Sequence, residues 1–178
     1  MVWCNTITFI VPVECILMDT VELLMVEHSG IRIIAYNNIL QKGSAELIDF
    51  NKFLLNIHVN IEETVVFPLL KENDSSTSKL ISTLIADHKL IETLFNNLYK
   101  WKLSENPLFN VRLPLFYKTL TEHNSNEEIL LFSRWKNINQ EQQDIAMKNA
   151  HEIILSNDVE NYAKETGISK EMMDYIFI

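Results

Sequence analysis

The sequence predicts an all-α protein, an up-down-up-down antiparallel four-helix bundle with short C-terminal helices. Glycine and proline are scarce, with three and four in 178 residues. Apolar residues recur at three- and four-residue spacing over long stretches, the period of a helix with one face in a core. Breaks in this pattern leave only short connections, and short connections join antiparallel neighbours.

The first 17 residues, MVWCNTITFIVPVECIL, are apolar but poorly suited to crossing a membrane, with Asn5, Pro12 and Glu14 inside and no basic residue before Arg32. They read either as a strand-like arm packed on the domain or as sequence upstream of a start at Met18. Met18-Asp19-Thr20, a start followed directly by a helix cap, favours the second reading.

The first helix should run from about Thr20 to Lys42, capped by Asp19 with Glu22 in the capping-box position and stopped by Gly43. The second should run from about Ser44 to Lys71 and end in the polar cluster Glu72-Asn73-Asp74-Ser75-Ser76. The third covers about Thr77 to Leu103, before Ser104-Glu105-Asn106-Pro107. The fourth occupies about Pro114 to Lys136, with Pro114 in its first turn. A helix near Gln140 to Leu155 follows, then a shorter one from about Asp158 to Glu165 ended by Gly167, and a last turn from Ser169. The chain thus divides into an arm (1–17), a bundle (18–137) and a helical extension (138–178). Apolar residues of the extension, among them Ile145, Ile153, Ile154, Met172, Met173 and Phe177, are expected to cover the bundle or a second copy of the chain in a homo-oligomer.

Composition excludes several function classes. Fifteen basic residues against 24 acidic ones give a formal charge of -9, without a Lys/Arg cluster to follow a phosphate backbone. Nucleic acid and anionic membrane surfaces are therefore not expected as partners. Cys4 and Cys15 form no CxxC or Cys/His pattern, consistent with a reducing, cytoplasmic setting.

Each long helix carries a histidine on its apolar stripe: Leu24-His28-Ile31-Ala35, Leu54-His58-Ile61-Val65, Leu84-His88-Ile91-Phe95 and Leu120-His123-Leu130. One such histidine would be an ordinary core residue with a satisfied hydrogen bond. Their heights argue otherwise. His28 lies 15 residues before Gly43 and His58 15 after it, and His58 and His88 flank Asn73 at the same distance. At 1.5 Å per residue, antiparallel helices place these rings in one layer, roughly 22 Å from the bundle ends. His123, about 17 residues beyond the Glu105-Asn106 turn, falls close to it.

Carboxylates join the layer, because Glu62 and Glu127 follow His58 and His123 by four residues and share their helix faces. An unpaired carboxylate in an apolar core is costly, and a cation removes the penalty. Glu92 follows His88 at the same spacing and is a further candidate. His151 has no such partner. Imidazole with carboxylate suits iron, manganese or zinc, and six donors exceed one tetrahedral zinc but fit two octahedral ions sharing carboxylates.

The segments EHSGIR around His28, HVNIEETVVFP from His58 to Pro68, DHKLIETL around His88 and EHNSNEEILLF around His123 and Glu127 resemble the hemerythrin-like, or HHE cation-binding, family over about Met18 to Trp135. The resemblance implies a non-haem di-iron centre bridged by carboxylates and an oxo or hydroxo group. It implies His28, His58, His88 and His123 as terminal ligands and Glu62 and Glu127 as bridges. Oxygen-carrying hemerythrins supply an HxxxH pair from the third helix, where this chain has Glu92, and they use a carboxylate five residues after the last histidine, which here is Glu128. The pattern looks more like the family's iron-sensing and iron-centre-repair members. The expected function is reversible binding or sensing of O2, NO or iron. Two others stand beside it: a di-iron enzyme reducing nitric oxide or peroxide or repairing iron-sulfur centres, and a structural bundle without a functional metal.

Overall fold

A computed structural model of the chain describes residues 18–40, 45–159 and 161–162. The 1–17 arm, the stop at Gly43, the turn at Gly167 and the last turn from Ser169 lie outside the described residues, and so do Met172, Met173 and Phe177. The described residues are helical, and no strand occurs among them.

Helix α1, Thr20–Leu40, begins where the sequence satisfies its free amides. Asp19 Oδ1 accepts from the N–H groups of Val21 and Glu22 at 2.8 and 2.9 Å, and Glu22 Oε2 accepts from the Asp19 N–H at 3.0 Å. This reciprocal cap is the one Asp19 and Glu22 predict. Helix α2, Ala45–Ile61, continues through a π-helical turn, Glu62–Val66, into α3, Phe67–Asn73. Asp74 then turns extended, and its side chain accepts from the Ser76 N–H, starting a 3-10 turn at Ser75–Thr77 that leads into α4, Ser78–Leu103.

Helix α5 is Leu108–Asn126, so the fourth helix starts a turn and a half earlier than the sequence predicts, with Pro114 in its interior and Pro107 as its cap. Asn106 explains the early start: its side chain accepts from the Leu108 N–H at 3.0 Å and its carbonyl from the Phe109 N–H at 3.0 Å. The extra turn buries Phe109 and Leu113 against the core, burial that outweighs one missing proline amide. A second π-helical turn, Glu127–Leu131, and a 3-10 segment, Phe132–Asn137, lead to α6, Gln140–Ser156, capped by the Asn139 side chain on the Gln142 N–H.

α1 packs on α2 and α5, and α4 completes the ring by packing on α2 and α5. α6 lies against α1 and α2 and buries Ala146, Ala150 and Ile154 there, whereas Ile145 is exposed.

The apolar core is in two parts. One holds Leu24, Ile61, Leu84, Leu131 and Trp135 with the α6 residues, the other Ile31, Leu54, Ile91, Phe95 and Leu120. Each bundle histidine sits in the chain between a residue of one part and a residue of the other. His28 follows Leu24 and precedes Ile31, and His58 follows Leu54 and precedes Ile61. His88 and His123 repeat this between Leu84 and Ile91 and between Leu120 and Leu131. The polar layer therefore divides the core, and the order in which the two parts occur reverses from each helix to the next.

Because Phe50 is fully buried in the second part, Phe50→Ala should destabilise the protein by about 3–5 kcal/mol in urea unfolding. Ile129→Ser, at a position 69% exposed, should stay within about 0.5 kcal/mol. Equal losses in the two variants would contradict this division of core and surface.

Candidate metal centre

The site starts from a packing conflict in two helices. Along α2 and α3 the buried positions His58, Glu62, Val66 and Leu70 step by four residues, and His123, Glu127, Leu131 and Trp135 do the same after α5. Three such steps in a regular α-helix drift by about 120° around its axis. The π turns take up the drift, with the Phe67 N–H bonding to the Glu62 carbonyl and the Phe132 N–H to that of Glu127, five residues back. Each π turn begins at one of the glutamates, so the widened backbone keeps the apolar positions that follow it, Val66 and Leu70 or Leu131 and Trp135, on the same core face as the histidine and carboxylate before it.

These groups converge. The rings of His28 and His58 lie 4.6 Å apart between centroids, and those of His88 and His123 lie 4.7 Å apart. Glu62 and Glu127, both without solvent exposure, stand between the two pairs. Glu62 Oε1 faces the Nε2 atoms of His58 and His28 at 3.2 and 3.8 Å, while its Oε2 faces His88 Nε2 at 3.1 Å. Glu127 Oε2 faces His28 Nε2 at 3.3 Å, and its Oε1 faces His123 and His88 at 3.1 and 3.4 Å. Each carboxylate thus turns one oxygen to each imidazole pair.

Two overlapping donor groups result, His28-His58-Glu62-Glu127 and Glu62-His88-His123-Glu127, with the atoms of each within 4.8 Å of one another. The Nε2 atoms of His28, His58 and His88 and both oxygens of Glu62 and Glu127 are buried without a hydrogen-bond partner. Buried polar atoms are seldom left so, and orphaned nitrogen and oxygen lone pairs aimed at two common points are what two cations would satisfy. The donor set fits a pair of metal ions.

Three of the four Nδ1 atoms face outward onto carboxylates. His28 donates to Glu128 at 2.9 Å, His58 to Glu27 at 2.8 Å and His88 to Glu63 at 2.8 Å. Such bonds fix the ring and raise the basicity of the ligating nitrogen. Phe132 stacks on His28 and Phe67 on His88, each being the first residue after a π turn. Arg32 Nη1 joins the Glu128 carboxylate at 3.0 Å.

Electrostatics follow from the packing. Burial opposes charge on His28, but Glu127, Glu128 and Glu62 outweigh it and lift the imidazole from 6.5 to about 9. For His88 the same opposition between burial and the carboxylates of Glu127 and Glu62 ends near 10. Burial and Glu62 push Glu127 up, yet His123, His28 and His88 bring it down from 4.5 to about 2. Without metal, imidazolium ions neutralise the two bridging-type carboxylates.

The family model of the hemerythrin HHE cation binding domain matches residues 19–135. The chain belongs to that family. Curated proteins and solved structures give no match. The matched span of this hemerythrin-family chain opens at the α1 cap and closes at Trp135, and it contains all six residues of the two donor groups.

Glu92, a further candidate by its spacing from His88, is exposed on the rim of a cleft and belongs to neither donor group. The reason lies in α4, which stays a regular helix with its buried stripe at Leu84, His88, Ile91 and Phe95, so position 92 falls on the flank. Glu128 is partly buried and holds the Nδ1 of His28 instead of entering a donor group. His151 is exposed on α6.

In the sequence, Glu27 and Glu63 are not singled out and Glu128 is weighed only as a bridging carboxylate, although a signal for all three is present. The chain contains one short pattern twice. An acid precedes a histidine at Glu27-His28 and Asp87-His88, and His58-xxx-Glu62-Glu63-xxx-Phe67 recurs as His123-xxx-Glu127-Glu128-xxx-Phe132.

The metal-free protein should show a definite pH dependence. His28 and His88 titrate higher folded than their ordinary 6.5, so their contribution to stability is full below about 6.5 and gone above about 9 to 10. Glu127 titrates lower than its ordinary 4.5, so its contribution is present above 4.5 and lost as the pH falls toward about 2. Melting temperature without metal should therefore fall steadily from about pH 6.5 to 9.5. The metal-induced rise in melting temperature should grow over the same range, because binding displaces protons. A flat profile in the metal-free protein would contradict this charge pattern.

Proposed function

We propose that this chain is a non-haem di-iron protein that binds or senses a small diatomic ligand, O2 or NO, or iron itself. One observation carries the reading: Glu62 and Glu127 each present one oxygen to the His28–His58 pair and the other to the His88–His123 pair. Carboxylates so shared suit two ions side by side, and six N/O donors without thiolate suit iron. His28, His58, His88 and His123 would be terminal ligands, and Glu62 and Glu127 bridges.

The reading includes an up-down-up-down four-helix bundle, supported by the ring of contacts among α1, α2, α4 and α5 and by the alternating order of the two core parts. Bound iron would supply redox electrons and open coordination positions for a diatomic ligand. The protein does the rest. Glu27, Glu63 and Glu128 hold imidazoles with Nε2 inward, the two bridging carboxylates offset cationic charge, and Leu24, Ile61, Ile91 and Leu120 keep bulk water from the layer. With Glu92 outside the donor groups, coordination positions not filled by protein remain for an exogenous ligand.

Protein purified anaerobically should carry about two irons per chain and give an azide- or oxygen-dependent absorption spectrum. Less than half an equivalent of any transition metal after iron supplementation would overturn the proposal. Consumption of the ligand in repeated turnovers would replace the binding role with an enzymatic one.

His58→Ala and His123→Ala should each abolish binding of at least one iron, and His151→Ala should leave metal content unchanged. Equal loss in all three would show that folding, not ligation, was being measured. Glu127→Ala should lose iron, whereas Glu128→Ala should retain it with affinity reduced about 10–100-fold through the loosened His28 ring. Iron kept in Glu127→Ala and lost in Glu128→Ala would reverse the assignment.

A further inference from the structure

The two donor groups share both carboxylates and differ only in their imidazoles, so any inequivalence must come from what holds the rings. Three of the four Nδ1 atoms have a carboxylate at 2.8–2.9 Å. The fourth does not. His123 Nδ1 lies 3.8 Å from Asp87 Oδ2, beyond hydrogen-bond length, and is buried with no hydrogen-bond partner.

The internal repeat gives the cause. Glu27 precedes His28 and reaches His58, and its counterpart Asp87 precedes His88 and faces His123, but aspartate is one methylene shorter. The Glu27 side chain is 2% exposed and that of Asp87 is 37% exposed, so water competes for the shorter carboxylate.

Exposure points the same way. His28 and His58 are 0% and 2% exposed, while His88 and His123 are both 5% exposed. A cleft of about 420 Å³ between α2 and α4, lined in part by Asn60, Glu63 and Glu92, reaches His88. Three other clefts of the fold touch neither His28 nor His58.

We propose that the two ion positions are kinetically inequivalent, that the His88–His123 position is the exchangeable one, and that Asp87 is the positioning residue that makes it so. The inference rests on the reading of the site as a two-ion centre. A ring without an Nδ1 acceptor loses orientation and basicity, which weakens its hold on a cation by roughly 10–100-fold. The cleft beside His88 offers that ion a way out. The His28–His58 position, with both rings anchored, retains its ion.

The full chain is loaded anaerobically with two equivalents of ferrous iron and mixed with excess bipyridine, and release is followed by absorbance. Two phases of about one equivalent each are expected, their rates at least tenfold apart. Asp87→Glu should slow the fast phase about tenfold and leave the slow one unchanged, because the longer side chain closes the gap. Glu27→Asp should speed the slow phase and merge the two. Should Asp87→Glu fail to fold by circular dichroism, Glu27→Asp carries the test alone. Release of two equivalents in a single phase from the unaltered protein overturns the inference while leaving the two-ion reading intact. Phases insensitive to both substitutions in folded protein also overturn it. Failure to take up iron at all overturns both.

Discussion

Everything in this all-helical fold answers to two carboxylates placed in an apolar core. A charged group moved out of water costs several kcal/mol even after relaxation, and Glu62 and Glu127 have no solvent exposure. His28, His58 and His88, at hydrogen-bonding to ion-pairing distance, supply compensating charge, and they in turn need partners for their outer nitrogens. Glu27 meets that need from within the core, and Glu63 and Glu128 meet it from partly buried positions. Charge is thus graded from the centre outward, and the apolar core is split into two parts because nothing apolar can occupy the layer between them.

The π turns are the backbone's share of the same demand. Each sacrifices the tighter i to i+4 bonding of an α-helix for one wide turn, and each starts at a glutamate of the centre. The widening keeps Val66, Leu70, Leu131 and Trp135 in the core beyond the carboxylates, whereas in α4 the buried stripe passes from His88 to Ile91. His88 and Glu92 have the same four-residue spacing as His58 and Glu62, yet α4 stays regular and Glu92 is exposed.

That contrast also marks how far the sequence could be read. Helical periodicity fixes which residues share a face, so the long helices, the Asp19–Glu22 cap and the common layer of His28, His58, His88 and His123 were legible from spacing alone. Whether a residue four places on faces inward depends on which side of the histidine the buried stripe drifts, which tertiary packing decides, and so Glu92 stands as a further candidate in the sequence and lies on the flank in the fold. The fourth helix was misplaced at its start because Pro114 suggests a first turn, while the burial of Phe109 and Leu113 is a property of the assembled core. Glu27, Glu63 and Glu128 sit beside stronger signals, and an acidic residue next to a histidine ordinarily means a solvated surface. Only their recurrence in the two halves of the chain distinguishes them.

Two of the three outward carboxylates are exchanged between those halves. His28 in the first is held by Glu128, 100 residues away, and His88 in the second is held by Glu63 from the first. The α1–α2 and α4–α5 hairpins can each form from contacts near in sequence, but neither can orient its own leading histidine. Closing a loop of that length carries an entropic cost that local contacts do not repay until both hairpins are docked. The centre is therefore a late event in the life of the chain: a nascent chain released before its second half is made has His28, His58 and Glu62 but neither Glu127, which completes their donor group, nor Glu128, which orients His28.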